Sequence, residues 1–582
     1  MSMSSEYRWE TNVNMVLAGA AGQGIQTIEQ GVTRLLKQAG FHVFATKEYM
    51  SRIRGGSNST QIRIASHPIA APLDRIDLFI PLDEAAFIRY SPRLTSASLV
   101  LGDRSRLPSH PGLVDMPLAA LAEKAGDSRY ANSVAIGAVM GLLGVCPNLM
   151  NDFLCQRYVD QPEKVIEGNQ AAATAGYEAG RNLVENGRVQ IALQSSPGVS
   201  NDLLLNGSEA VGLGALAGGC NFISSYPMSP ATAVLTFLAR QAADFGLVVD
   251  QAEDEIAAVN MALGAWFAGA RGLVSTSGGG FDLMAEGLSL AGMIESPLVV
   301  HLAQRPGPAT GLPTRTEQGD LLLALHSGHG EFPRLLLAPG GLQEAFALTR
   351  QAFHLADKYQ VPVIILTDQF LVDSFGNIPD LDIIDLQVKH HFIKSEADYA
   401  RYQVTASGIS PRALPGYGEG MVCLDSDEHD ESGHISEDLA LRRTMTEKRL
   451  RKGGELLNDA IAPKLLGSSD YHTLVIGWGS TCHVLREALE TLGEQPVAGL
   501  HFSQVYPLPP QSEQWLLRAE QLVVVECNAT GQFADLLEQA AGCRIDHRIL
   551  KYDGLPFTVE DLVARLRAAL DLPDQTDQEG GI

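Results

Sequence analysis

Three times along the chain a short apolar run breaks off at glycine and opens into a helical pattern. Near the N-terminus VNMVLAGAAGQGIQTIEQGVTRLLKQAG does so, with Ile25, Ile28, Val32 and Leu35–Leu36 recurring on one helical face. RGLVSTSGGGFDLMAEGLSLAG repeats the pattern mid-chain, and QLVVVECNATGQF repeats it toward the end. The runs LFIPL, SLVLGD, PLVVHLA and VPVIILTD read as further buried strands. Alternating strands and helices predict an α/β fold of open, mostly parallel sheets flanked by helices. At 582 residues the chain needs several cores, so it is expected to be multidomain. The pattern runs over 1–190, 200–395 and 466–582. It fails across 396–465, where the acidic LDSDEHDESGHISEDL precedes the basic, helical LRRTMTEKRLRK.

Composition excludes several classes. Sixty-eight acidic residues against 43 basic ones leave a formal charge of -25, which argues against nucleic acid or an anionic membrane as partner. Seven cysteines, at 146, 155, 220, 423, 482, 527 and 543, include no C-x-x-C pair, so neither a disulfide framework nor a self-contained iron–sulfur or zinc site is expected. No apolar run approaches the ~18 residues of a membrane span. MSMSSEYRWETN lacks the basic and apolar regions of a signal peptide, so a cytoplasmic location is expected.

Four stretches carry candidate chemistry. SSYPMSPAT, residues 224–232, sets hydroxyls on a proline-stiffened bend, where Ser229 or Thr232 either caps a helix or faces a ligand. GAAGQG spaces its glycines as G-x-x-G-x-G at 19, 22 and 24, not as the dinucleotide fingerprint G-x-G-x-x-G. Together with Arg52 and Arg54 of SRIRGGSNST, that turn is either an anion cradle or a purely structural tight turn. Glu253, Asp254 and Glu255 crowd the start of a helix whose apolar face is read as Ile256, Val259, Leu263 and Phe267, with Trp266 also packing; acidic residues there suit the helix dipole whatever else they do. HLAQRPGPATGLPTRTEQGD presents Arg305, Thr310, Thr314 and Arg315 on a stiffened loop, and a guanidinium with hydroxyls suits a carboxylate. His429 and His434 in EHDESGH could ligate a metal, but an acidic, solvated connecting loop is the stronger reading, and Cys527 reads as core.

YPMSPAT, EDEIAAVNMALGAWFAGARGLVSTSGGGFDLMAEGLSLAGMIESPLV and QRPGPATGLPTRTEQGDLLLALHSGHGEFPR resemble the alpha subunit of 2-oxoacid:ferredoxin oxidoreductases. GAAGQGIQT and SRIRGGSNS resemble the gamma domain that 2-oxoglutarate-type enzymes fuse in front of it. GISPRALPG and DEHDESGHISED resemble the connecting region, and VVVECNATGQF with KYDGLPFT resembles a transketolase C-terminal-like domain. The resemblance implies a gamma-type domain over 1–190 and a thiamine diphosphate pyrimidine-binding domain over 200–395. A connecting segment over 396–465 and the transketolase C-terminal-like domain over 466–582 complete the layout.

By the same resemblance Tyr226, Pro227, Ser229 and Glu255 contact thiamine diphosphate, and Glu255 is the catalytic carboxylate that hydrogen-bonds its aminopyrimidine. Ser229, Arg305, Thr310 and Thr314 bind the 2-oxoacid, while Gly22, Gln23, Gly24, Arg52 and Arg54 are candidates for coenzyme A. The chain holds no metal site and no G-D-G segment for the magnesium diphosphate, so a beta subunit is implied to bring Mg2+ and a 4Fe–4S cluster. Ferredoxin is implied as electron acceptor, docking on that partner, in an (alpha-beta)2 assembly. The implied reaction is reversible, CoA-dependent oxidative decarboxylation of 2-oxoglutarate to succinyl-CoA and CO2. Pyruvate or another 2-oxoacid, a non-catalytic CoA- or dinucleotide-binding scaffold, and a stand-alone thiamine decarboxylase or transketolase stay open as alternatives, the missing G-D-G counting against the last.

Overall fold

The computed structural model describes residues 7–50, 56–383 and 387–573. Contacts divide the chain into two compact units. The first comprises Met1–Leu205 with Ser374–Asp380 and Thr558–Glu560; the second holds the remainder. The division therefore differs from boundaries at 190 and 395, because the strand Phe375–Ile378 pairs with His42–Glu48 in the first unit.

The first unit is built on an eight-stranded sheet. Asn12–Ala20, Leu78–Pro81, Leu99–Gly102 and Leu113–Asp115 run parallel as expected. Ser57–Ala65 instead runs antiparallel to both Asn12–Ala20 and His42–Glu48, so this sheet is mixed. The reason is chain length: only residues 49–56 join His42–Glu48 to Ser57–Ala65, and a parallel crossover needs a dozen residues or more. The helix Ile25–Gln38 buries the predicted face, Ile25, Ile28, Val32, Leu35 and Leu36. Helix Ala131–Leu142 lies so close to Glu163–Glu185 that a Cβ on Gly137 would stand 2.0 Å from Ala173 O.

In the second unit a seven-stranded sheet runs, edge to edge, Val248–Gln251, Phe222–Ser225, Gly272–Thr276, Leu298–Gln304, Pro362–Asp368, Leu335–Leu337 and Gln504–Tyr506. All pairings are parallel except that of Gln504–Tyr506. Phe222–Ser225, first in sequence, lies between the second and third strands, so the chain leaves it and Gly272–Thr276 in opposite directions. That reversal opens a crevice at their carboxyl ends. A five-stranded sheet, Lys464–Leu466, Val497–Phe502, Thr473–Trp478, Gln521–Glu526 and His547–Leu550, shares its core with the larger one: Val274, Val300 and Leu366 pack in one cluster with Leu474, Ile476 and Leu500.

The helix Glu255–Phe267 turns a different face inward from the one expected. Val259 and Leu263 are buried, but with Ala258, Ala262 and Trp266, whereas Ile256 and Phe267 are 50% and 37% exposed. Glu255 joins the buried stripe, and the Trp266 indole N–H donates to Gly272 O at 3.0 Å, which fixes the rotation. In the connecting segment the helix Leu439–Glu455 buries its basic stripe, Lys448, Arg449 and Lys452, beside Met445. The acidic stretch before it is not simply solvated. Arg449 holds Glu428 in a forked pair at 2.9 Å, and His429 lies fully buried with its ring 3.9 Å from that of Tyr402. His434 stays exposed, and among the described residues no group of three or more His, Cys, Asp or Glu side chains could hold a metal. Cys527 is buried, which pushes its thiol pKa up. Among the described residues no helix is long and apolar enough to cross a membrane.

Candidate active site

The bend follows Phe222–Ser225 directly into the crevice. Tyr226 is 41% exposed, Pro227 half-buried and Ser229 exposed. Helix Thr232–Phe245 begins without a side-chain cap, so neither Ser229 nor Thr232 serves as one. The bend is held from beneath by a buried polar chain. Ser275 N donates to Ser225 Oγ at 2.9 Å, and Ser275 Oγ donates to Ala231 O at 3.3 Å. With its proton so committed, Ser275 accepts from His301 Nδ1 at 2.9 Å, leaving Nε2 to accept from Thr367 at 2.8 Å. Burial keeps His301 neutral by lowering its pKa to about 3. No sequence pattern announced this chain, because its members sit on neighbouring strands far apart in sequence.

Glu255 enters the same crevice from the other side. Asp254 caps the helix by accepting from Ala257 N at 2.8 Å, which leaves Glu255 at the first helical position, 2% exposed. Its carboxyl accepts from Thr276 Oγ1 at 3.2 Å, and burial pushes its pKa up. The turn Ser277–Gly280 must be glycine-rich here: a Cβ on Gly280 would lie 2.1 Å from Glu255 Oε1, and one on Gly278 would lie 2.5 Å from Asp320 Oδ2. Thus the acidic helix start holds one residue that only caps and one turned inward.

Asp320 is a further buried carboxyl that the sequence reading passed over. Its backbone N–H donates to Gln304 Oε1 at 3.0 Å, while Oδ2 and the neighbouring Ser277 Oγ are buried without a hydrogen-bond partner among the described residues. Burial, then the charge of Glu317, pushes Asp320 up to about 7 against the opposing pull of Arg305. Arg305 Nη1 donates to Ser229 O at 2.6 Å, so the fold brings the loop arginine onto the bend. Thr310 stands exposed on that loop and Thr314 half-buried.

The loop is clamped by the five-stranded layer. Gln318 N donates to Cys527 O at 2.6 Å, Cys527 N returns to Gln318 Oε1 at 3.0 Å, and Gln318 Nε2 donates to Trp478 O at 2.8 Å. Thr316 N donates to Gly554 O at 3.1 Å. The GQF and YDG segments therefore shape the loop from outside the crevice.

In the first unit, the turn after Asn12–Ala20 sets Gly22 and Gly24 at φ 92° and 81°, conformations that favour glycine. Gln23 folds back so that its Oε1 accepts from Ala20 N at 2.8 Å, and Asp83 accepts from the same N–H at 2.8 Å. The turn thus carries its own structural bonds. Arg52 and Arg54 lie outside the described residues.

Residues that could hold thiamine diphosphate are therefore gathered: a buried carboxyl of raised pKa, a glycine turn against it, and two partnerless polar atoms beside it. A family model described as pyruvate flavodoxin/ferredoxin oxidoreductase, thiamine diP-binding, matches residues 213–448, and one described as pyruvate ferredoxin/flavodoxin oxidoreductase matches 14–179. A Sulfolobus 2-oxoacid:ferredoxin oxidoreductase subunit alpha is 30% identical, the alignment covering 98% of this chain and 99% of that one. The 2-oxoglutarate oxidoreductase subunit KorA of Mycobacterium tuberculosis is 29% identical over 96% of this chain and 92% of its own. Among solved structures, the 2-oxoglutarate:ferredoxin oxidoreductase from Magnetococcus marinus, with 2-oxoglutarate, coenzyme A and succinyl-CoA bound, superposes at a TM-score of 0.91, at 29% identity, covering 96% of this chain and 100% of that one. Matched almost end to end at this identity, the chain belongs to the thiamine-diphosphate-dependent 2-oxoacid:ferredoxin oxidoreductases, as an alpha-subunit chain.

Proposed function

We propose that the chain is the alpha subunit of a 2-oxoglutarate:ferredoxin oxidoreductase, active with a beta subunit. The observation that carries this is Arg305 fixed on the Ser229 carbonyl at 2.6 Å, at the crevice that also receives the buried Glu255. In the proposed reaction the carbon–carbon bond to the substrate's C1 carboxylate breaks and CO2 leaves. A carbon–sulfur bond to coenzyme A forms, the thiol proton is released, and two electrons pass singly to two ferredoxins. Thiamine diphosphate, when bound, supplies the electron sink for loss of CO2.

The chain's own residues bind and hold. Glu255, with Tyr226, Pro227 and Ser229, faces the cofactor, the Glu255 carboxyl holding a hydrogen bond to it. Arg305, Thr310, Thr314 and the Ser229 hydroxyl take the substrate, the guanidinium matching a carboxylate with forked bonds. The glycine turn Gly22–Gln23–Gly24, with Arg52 and Arg54, takes coenzyme A. The pyrimidine-binding role of 200–395 and the transketolase-like role of 466–582 belong to the same reading. So do a cytoplasmic location, an (alpha-beta)2 assembly, Mg2+ and a 4Fe–4S cluster in the beta subunit, and ferredoxin docking there. Exposed apolar side chains, Tyr226 on the bend with Phe245, Val248 and Ile256 nearby in sequence, support a partner covering this region.

The choice of 2-oxoglutarate is supported by the bound substrate of the Magnetococcus enzyme and by the name of the mycobacterial relative. Pyruvate, in the description of the family models, is the competing substrate. The test is anaerobic viologen reduction by the chain co-purified with its beta subunit, with 2-oxoglutarate or pyruvate, with and without coenzyme A. CoA-dependent reduction with 2-oxoglutarate alone is the expected result; a preference for pyruvate overturns the substrate assignment. Absence of reduction with any 2-oxoacid, from a complex containing thiamine and iron, overturns the catalytic reading.

A further inference from the structure

Behind the catalytic helix lies a buried cluster of charge that does not balance. Arg271 Nη1 and Arg412 Nη2 both pair with Asp357, at 2.9 and 2.5 Å. Lys448 pairs with Glu295 at 2.5 Å, Lys452 pairs with the other Glu295 oxygen, and Arg401 Nη2 donates to Glu295 O at 2.7 Å. All seven side chains are buried, none more than 6% exposed. Five cations therefore face two carboxylates. An uncompensated buried charge is costly, because burial strips most of its hydration. The strain shows at Lys452, whose pKa burial brings down to about 8, with the attraction of Glu295 opposing.

Between Arg401 and Arg412 there is a cavity of about 20 Å3, walled by Trp266, Phe267, Ile294 and Val422. Arg401 Nη1 and Arg412 Nε are both buried without a hydrogen-bond partner among the described residues, and both arginines line this space. Two donors thus lack an acceptor where the cluster lacks negative charge. Two carbonyls of the cavity lining are already engaged: Trp266 O accepts from Arg412 Nη1 at 3.2 Å, and Ile294 O from the Tyr402 hydroxyl at 3.3 Å. We propose that this cavity is a binding site for a small monovalent anion of the halide class, held between Arg401 Nη1 and Arg412 Nε. Its small size suits a monatomic ion, and its apolar walls suit a weakly hydrated halide. The bound ion would neutralise part of the excess charge and brace the carboxyl end of the helix whose first residue is Glu255. This assignment is independent of the proposed substrate.

The experiment compares melting temperatures of the full chain in sodium gluconate, chloride and bromide at constant ionic strength. Chloride and bromide are expected to give a saturable rise of a few degrees that gluconate does not reproduce, as binding to the folded state requires. Arg401→Gln removes one donor and is expected to abolish that rise. Because this variant could fail to fold, Ala413→Val, which fills the cavity wall from a strand and keeps both arginines, supplies the second test. It is expected to lose the halide response at near-unchanged stability in gluconate. Crystals grown in bromide should show anomalous density between Arg401 and Arg412. Equal melting temperatures in all three salts, or a halide response in Ala413→Val equal to that of the unaltered chain, would mean the cavity holds only water and would overturn the assignment.

Discussion

Asp320 should make stability fall with rising pH, and its replacement by asparagine should remove that fall. Burial holds its folded pKa at about 7, against the ordinary aspartate value of 3.8. Between those values the unfolded chain has released the proton while the folded chain keeps it. Stability is then fully present below about pH 4 and declines by ~1.4 kcal/mol per pH unit until the folded group ionises. The whole span of about three units corresponds to about 4 kcal/mol. The acidic chain loses net charge in mild acid, so the practical window is about pH 6–9. There the unaltered chain should lose about 1 kcal/mol from pH 6 to 7 and only a few tenths more from pH 7 to 8, as the residual slope vanishes. Asp368, pushed up to about 6 by burial, adds little slope above its own ionisation. Asp320→Asn keeps the shape and the backbone bond to Gln304, so its urea midpoints should be flatter across pH 6–7. At pH 8 it should be the more stable protein. Parallel pH curves for the two chains would refute the argument, since they would mean that Asp320 ionises in the fold as it does in water.

Four further outcomes follow from the geometry. Glu255→Gln, assayed in complex with the beta subunit, should lower turnover by at least ~10²–10⁴-fold with an unchanged melting curve; near-normal turnover would remove Glu255 from the chemistry. Arg305→Ala should raise KM for the 2-oxoacid roughly 10–100-fold, the equivalent of about 1.5–3 kcal/mol for a charged hydrogen bond, with less change in kcat. Gly280→Ala puts a Cβ 2.1 Å from Glu255 Oε1, so calorimetric titration of the complex with thiamine diphosphate should show weakened binding while circular dichroism stays unchanged. Glu295→Gln leaves Lys448 and Lys452 buried without a counter-charge and should cost about 3–5 kcal/mol by denaturant titration, part of which Lys448→Met in the same chain should restore.

The glycine-broken strand–helix repeats were legible because burial of a parallel strand demands a continuous apolar run, and the helix after it demands a stripe. The helix Ile25–Gln38 shows its predicted face for that reason. The contact between Arg305 and the Ser229 bend had no local signature in the sequence: the resemblance put both at the substrate, and only the fold brought the guanidinium onto the Ser229 carbonyl. The helix from Glu255 was misread by rotation: an apolar tally favoured Ile256 and Phe267, while a buried carboxylate set the true inward face. The basic run LRRTMTEKRLRK concealed the opposite surprise, since Lys448 and Lys452 are buried against Glu295, more than a hundred residues earlier in the chain.

By itself the sequence determined the local matters: which runs become strands, where glycine must turn the chain, and which residues carry the family's motifs. Tertiary structure alone decided which side chains meet. Strand order placed Phe222–Ser225 beside Gly272–Thr276 and so opened the crevice. Neighbouring strands then assembled the Ser275–His301–Thr367 chain, and loops of a second sheet clamped Gln318. Long-range burial also raised Asp320 and gathered the unbalanced arginines. Such contacts join residues dozens to hundreds of positions apart, and their energies depend on exclusion of water, which exists only once the layers have closed.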